Sequence, residues 1–99
     1  MSRYTFHVIR SFRHKGLKLL YEKGERRRLP PEQADKIERV IARLDQARNA
    51  SEMDLPGWRL HALKGTLEGF WSVTVTGNWR IIFRMEGGDA HDVDLVDYH

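Results

Sequence analysis

Two stretches of alternating hydrophobicity, separated by a single Gly-Asn step, limit what this chain can become. From Gly69 to Thr76, Trp71, Val73 and Val75 alternate with Phe70, Ser72, Thr74 and Thr76, and from Trp79 to Met85, Trp79, Ile81, Phe83 and Met85 alternate with Arg80, Ile82 and Arg84. Successive side chains of a strand point to opposite faces, so a period of two specifies strands with one row turned inward. Gly77-Asn78 then specifies a two-residue turn and an antiparallel hairpin. Gly87-Gly88-Asp89 makes a second turn, after which His91 to Tyr98 is expected to pair back as a last strand. Trp58 to His61 reads as a short strand ahead of the hairpin, and residues 4 to 12, YTFHVIRSF, read as a first strand from their β-branched and aromatic content.

The helical signals lie between these strands. Leu17, Leu19, Leu20 and Tyr21 form an apolar cluster within Lys15 to Lys23, and Gly24 suits the left-handed residue that closes a helix. Pro30 and Pro31 open a second helix, with Glu32 and Asp35 placed where the helix dipole favours acids. Ala34, Ile37, Ile41 and Leu44 then recur at three- and four-residue spacing through about Ala47. Asn49 to Pro56 reads as a connector with a short turn. The expected architecture is α+β: a compact, mainly antiparallel twisted sheet of about four to five strands, with two N-terminal helices on one face. The helices would bury the tryptophan-bearing rows and leave Arg80 and Arg84 on the other face.

A chain of 99 residues without cysteine is long enough to bury a core as one domain without disulfide or metal staples. No segment approaches the apolar length of a membrane span, and MSRYTFHVIRSFR is too polar for a signal sequence, so a cytoplasmic protein is expected. The net charge of +3 hides an uneven distribution: the first 28 residues hold nine Lys/Arg against two Glu, and the last 49 hold four against eight acids. Such a basic end favours a nucleic-acid or ribonucleoprotein surface, with Arg13, Lys15, Lys18, Arg26, Arg27 and Arg28, together with Arg84 of the sheet face, as the expected contacts. The competing reading makes these cations ordinary solvated residues.

The residues around the hairpin include the parts of a phosphodiester-cleaving site. Cutting RNA without a metal requires a base for the 2′-hydroxyl proton, an acid for the leaving 5′-oxygen, and cations facing the developing charge. Histidine as a residue type titrates in the useful range, so His61 and His99 are candidate proton carriers. Asp97 is a candidate base or imidazole-orienting group, Lys64 and Arg80 are candidate fixed charges, and Tyr98 is a candidate to stack or donate. Each also has a structural explanation: a strand histidine, a turn lysine, a face arginine over an aromatic ring, a frayed end. The histidines at 7, 14, 61, 91 and 99 lack the paired spacing of metal ligands.

Several runs resemble the HigB-type toxins, the plasmid maintenance or killer proteins of the RelE/ParE toxin superfamily. They are Ser-Phe-Arg-His-Lys-Gly-Leu-Lys-Leu-Leu-Tyr-Glu-Lys-Gly (11 to 24), Leu-His-Ala-Leu-Lys-Gly (60 to 65), Gly-Phe-Trp-Ser-Val-Thr-Val (69 to 75), Asn-Trp-Arg-Ile (78 to 81) and Asp-Tyr-His (97 to 99). The resemblance implies a single RelE-like domain over residues 1 to 99 that enters the ribosomal A site and cuts the mRNA there, giving a 2′,3′-cyclic phosphate and a 5′-hydroxyl. It implies His61, Asp97 and His99 as acid/base groups, Lys64 and Arg80 as phosphate holders, Tyr98 among the cutting residues, and no metal or other cofactor. The implied partners are a HigA-like helix-turn-helix antitoxin and the 70S ribosome with its mRNA; operator DNA is reached only through the antitoxin, and no membrane is involved. The family pattern begins near Ile9, so Met1 to Val8 is an extra segment. Two further readings stay open: a ParE-like inhibitor of DNA gyrase without enzymatic activity, and a weak toxin serving mainly as the antitoxin's corepressor.

Overall fold

The computed structural model describes residues 9–97; Met1 to Val8, Tyr98 and His99 lie outside the described residues. Its elements are α1 (Lys15–Lys23), α2 (Ala34–Leu44), β1 (His61–Ala62), β2 (Phe70–Thr76), β3 (Trp79–Glu86) and β4 (Asp89–Asp97). The four strands form one antiparallel sheet in the order β1-β2-β3-β4.

Helix α1 has the expected limits and a cap at each end. His14 is extended and its Nδ1 accepts the Leu17 N–H at 3.2 Å, while Gly24 closes the helix in the left-handed conformation at φ 70°. Gly16 is where the connector at Arg28 meets the helix: a Cβ there would lie 2.8 Å from His14 Cε1 and 3.1 Å from the Arg28 carbonyl oxygen. The second helix departs from expectation at both ends. Pro31–Gln33 forms a 3-10 turn, and α2 begins only at Ala34 and ends at Leu44, with Ala47 buried beyond it.

The acceptor role of His14 requires an unprotonated Nδ1, and burial pushes its imidazole below the usual 6.5 against a smaller opposing pull from Asp94. Below 6.5 the unfolded chain takes up the proton first, so this stabilising contribution is present above that value and is lost as pH falls through the lower folded one. His14→Asn keeps a cap acceptor without the titration. Its urea-denaturation stability should fall less between about pH 7.5 and about pH 5 than that of the parent; identical slopes would remove His14 as the source. His14→Ala should lose about 1 kcal/mol at the higher pH.

The main core lies between the helices and one sheet face. Leu17 and Leu20 of α1 and Ile37, Val40, Ile41 and Leu44 of α2 meet Val73, Ile81, Phe83, Val93 and Leu95 of the sheet. Trp71 and Trp79 pack at its margin, half-buried. The reverse face is less open than the alternation suggested. Phe70 and Ile82 are buried there beneath Leu63, with Leu67 and Val96 beside them, so a small second apolar cluster covers part of it.

Three further departures have local causes. The strand expected from Trp58 to His61 is reduced to His61–Ala62, because Arg59 takes a left-handed conformation at φ 51° and breaks the extended run. Trp58 still ties in through its carbonyl, which accepts the Thr74 N–H at 2.7 Å. The first strand survives among the described residues as two bridges, Ile9 to Ala90 and Phe12 to Val93, both parallel to β4. Parallel neighbours need a crossover rather than a hairpin, and the helices provide it. Finally, β4 bulges: Ile82 pairs with Asp94 and Arg84 with His91, so Asp92 and Val93 together face Phe83. Asp92 carries the positive φ, 54°.

Candidate functional site

The reverse face is built from three transverse rows fixed by the register. The first contains Phe70, Arg84 and His91; the second His61, Ser72, Ile82 and Asp94; the third Thr74, Arg80 and Val96. His61 and Arg80 therefore share a face, separated by one intervening strand and one row, roughly 12 Å between backbones at ordinary strand spacing.

His61 is exposed, and its Nδ1 lies 3.1 Å from the Arg59 carbonyl oxygen. A carbonyl only accepts, so Nδ1 carries the hydrogen and the neutral imidazole keeps its lone pair on Nε2. The left-handed turn at Arg59 that shortens β1 thus also sets the tautomer. Arg80 is half-buried, and its Nη1 donates to the carbonyls of Gly77 at 2.7 Å and Trp79 at 3.2 Å. These bonds fix the guanidinium against the hairpin turn, and among the described residues Nε and Nη2 have no hydrogen-bond partner. Beside Arg80 on β2, the Thr74 hydroxyl is buried without a hydrogen-bond partner.

The other members of the set are spread. Lys64 is exposed at the start of the 3-10 turn Gly65–Leu67, next to Leu63, whose N–H bonds to the Phe70 carbonyl at the far end of β2 from Arg80. Asp97 is exposed opposite Trp79, and the pleat places it in the row of Ile81 and Leu95 rather than that of Arg80. Arg80 and Asp97 are neighbours across β3 and β4 but belong to opposite rows. Tyr98 and His99 lie outside the described residues.

The cations chosen from charge divide into two groups. Arg26 pairs with Asp35 and, at 3.6 Å, with Glu38; Arg27 pairs with Glu25 at 3.0 Å. These acids sit on the connector and on α2, so part of the Arg26-Arg27-Arg28 run is locally neutralised. Lys15, Lys18 and Arg28 are exposed without an ion pair among the described residues. Arg13 and Arg84 instead converge on the reverse face. Arg84 Nε donates to Asp92 Oδ2 at 3.0 Å, Arg13 Nε lies 3.9 Å from Asp92 Oδ1, and the Arg13 guanidinium sits over the Phe70 ring, 5.0 Å from its centroid. The Asp92 carboxylate and its hydrogen bond hold the Arg84 guanidinium above its ordinary pKa.

Sequence reasoning missed Asp92 and Phe70. Asp92 was hidden because the bulge breaks the period of two, and Phe70 because its ring faces the side assigned to polar residues. Among the described residues no group of three His, Asp or Glu is placed to hold a metal ion, and no helix is long and apolar enough to cross a membrane.

These features define a small α+β protein whose helices cover one sheet face while arginines, two imidazoles and carboxylates occupy the other. Residues 10–99 match the HigB-like toxin family, described as the RelE-like toxin of the type II toxin-antitoxin system HigB. The chain is 45% identical over 92 residues to a Proteus vulgaris protein named Endoribonuclease HigB, covering 93% of this chain and 100% of that one. It is 35% identical over 81 residues to Toxin HigB-1 of Vibrio cholerae serotype O1, covering 80% and 85% of the two chains. The chain belongs to the HigB-like toxins of type II toxin-antitoxin systems. An antitoxin is therefore its partner.

Proposed function

We propose that this toxin is an endoribonuclease that cuts mRNA in the A site of the cytoplasmic 70S ribosome. The observation that carries the reading is His61, whose Nδ1 faces the Arg59 carbonyl and leaves Nε2 turned away from it, on the same sheet face as Arg80. The full-length likeness to a protein named an endoribonuclease supports it.

In this mechanism a 2′-hydroxyl oxygen bonds to the adjacent phosphorus as the phosphorus–O5′ bond breaks. Nε2 of His61 is suited to accept the 2′ proton, and the remaining acid/base candidates for the leaving oxygen are His99 and Asp97, the latter from the row opposite that of Arg80. Arg80 and Lys64 oppose the charge that builds on the phosphoryl oxygens, and Tyr98 completes the set. The products are a 2′,3′-cyclic phosphate and a 5′-hydroxyl, and no metal takes part in the step. Arg13, Lys15, Lys18, Arg26, Arg27, Arg28 and Arg84 contribute to RNA or ribosome contact, which must weaken with salt. The antitoxin is HigA-like, with a helix-turn-helix domain through which operator DNA is reached.

The test is a reconstituted translation reaction with mRNA 5′ ends mapped by primer extension, a control without ribosomes, and a His99→Ala variant. Codon-phased cuts that need ribosomes and vanish in the variant are expected. Intact mRNA with folded protein would discard the endonuclease in favour of gyrase inhibition or corepression.

A further inference from the structure

Arg13 belongs to the segment that runs beside β4, yet its side chain crosses the reverse face to lie over Phe70 of β2. Three groups define its position. Phe70 lies beneath the guanidinium and is 6% exposed, so the ring itself is closed to any ligand. Asp92 lies beside it, and the same carboxylate binds Arg84. The Arg13 side chain nevertheless remains 50% exposed although its guanidinium is backed by the Phe70 ring.

Asp92 reaches both arginines from the bulge in β4. There it adopts a conformation uncommon for a residue other than glycine, and its own N–H is held by Ser11 Oγ at 2.8 Å. Ser11 and Arg13 lie on the same segment, so the segment that carries the guanidinium also fixes the carboxylate that steadies it.

A planar cation supported on one side and open on the other is the geometry on which an unpaired nucleobase stacks. Arg84 lies in the same face as Arg80 but four residues along β3, about 13 Å away at ordinary strand rise. An RNA strand whose scissile phosphate meets Arg80 would therefore extend over Arg84 and Arg13. Resting on the endonuclease reading above, we propose that Arg13 is the stacking platform for an unpaired base of the mRNA flanking the cut. In this arrangement Phe70 and Asp92 position the platform, and Arg84 faces that nucleotide's phosphate.

The experiment measures kcat/KM in the reconstituted translation reaction on reporter mRNAs that are intact or carry one abasic ribose at successive positions flanking the cut codon. The parent is compared with Arg13→Lys, which keeps the charge but loses the plane, and with Asp92→Asn, which tolerates the left-handed backbone and keeps an acceptor for Arg84. Thermal melting of each variant reports folding. Loss of one stacked base should cost the parent about 5- to 150-fold at one flanking position. Arg13→Lys should lose a similar factor on intact mRNA and show no further loss from that abasic position, because the two changes remove the same contact. Asp92→Asn should show a smaller loss, mainly in KM.

Multiplying losses would overturn the proposal, as would an Arg13→Lys variant that melts lower but keeps the parent's abasic profile, since Arg13 would then only pin the segment. A variant defect with no sensitive mRNA position would place the contact on ribosomal RNA and overturn the assignment to mRNA. A parent that cuts no mRNA would fail the endonuclease reading itself, and the platform with it; the parent control separates that result from failure of the platform alone.

Discussion

Replacing Arg80 with alanine is expected to reduce ribosome-dependent mRNA cutting by about 10²- to 10³-fold while the protein stays folded. The magnitude follows from preorganisation. Nη1 is already committed to the Gly77 and Trp79 carbonyls, so the side chain is held before RNA arrives and loses little freedom on meeting a phosphate. In the proposed mechanism its fixed charge opposes negative charge that grows only in the transition state, so kcat should fall more than KM rises. Losing the two turn contacts should cost stability only about 1 kcal/mol, because Arg80 is not fully buried and the backbone carbonyls can turn to water. Arg80→Lys should lie between parent and alanine, since an ammonium cannot reproduce two fixed bonds and a planar donor array together. Single-turnover cutting rates with thermal melts would check this, and parent-like cutting by Arg80→Ala would remove the residue from the site.

The largest effect on stability is expected from Phe83→Ala. Phe83 is fully sealed where the α1 and α2 core meets β3, and the β4 bulge lies opposite it. Removing the ring from a close-packed interior leaves a cavity that neighbouring strands refill only in part, at a cost of about 3–5 kcal/mol. A small domain has a total stability of roughly 5–15 kcal/mol, so the variant should have a much lower denaturation midpoint. Phe83→Leu should recover more than half of the loss. Equilibrium urea unfolding measures both, and a loss below about 1 kcal/mol for the alanine variant would show that the site collapses readily.

The features that could be read from sequence are those whose cause is local. Ala34, Ile37, Ile41 and Leu44 identify α2 because their spacing is its buried face, and Gly24 marks the end of α1 because its conformation is disfavoured for other residues. The β2–β3 hairpin is legible in the alternation and in Gly77-Asn78. What eluded the sequence depends on distant partners. Residues 9–13 lie parallel to β4, and no nearby turn signals a parallel neighbour. Phe70 and Ile82 looked like interruptions of a polar row until Leu63 supplied the cover for them. The same holds for the candidate site. His61 and Arg80 were recognisable as chemical types, but the pleat that separates Arg80 from Asp97 depends on the β3–β4 register, and the Arg59 carbonyl that sets the His61 tautomer depends on an unusual backbone turn. The charged run could not show from sequence that Asp35 and Glu38 of another element pair with Arg26.

The parallel seam between residues 9–13 and β4 also governs the order in which the molecule can be completed. Its side-chain bonds, Arg10 to Asp89 and Ser11 to the Asp92 N–H, join positions 79 and 81 residues apart. Loop closure over such distances must precede any return from the contacts, and strands paired this way form late. A growing chain can assemble α1, α2 and the β2–β3 hairpin, but it cannot seal Ile9 or Phe83 until β4 has been synthesised. The fold thus acts as a timer: an interrupted translation product lacks β4, and with it the closed core and the Asp92 contacts, until synthesis has passed that strand.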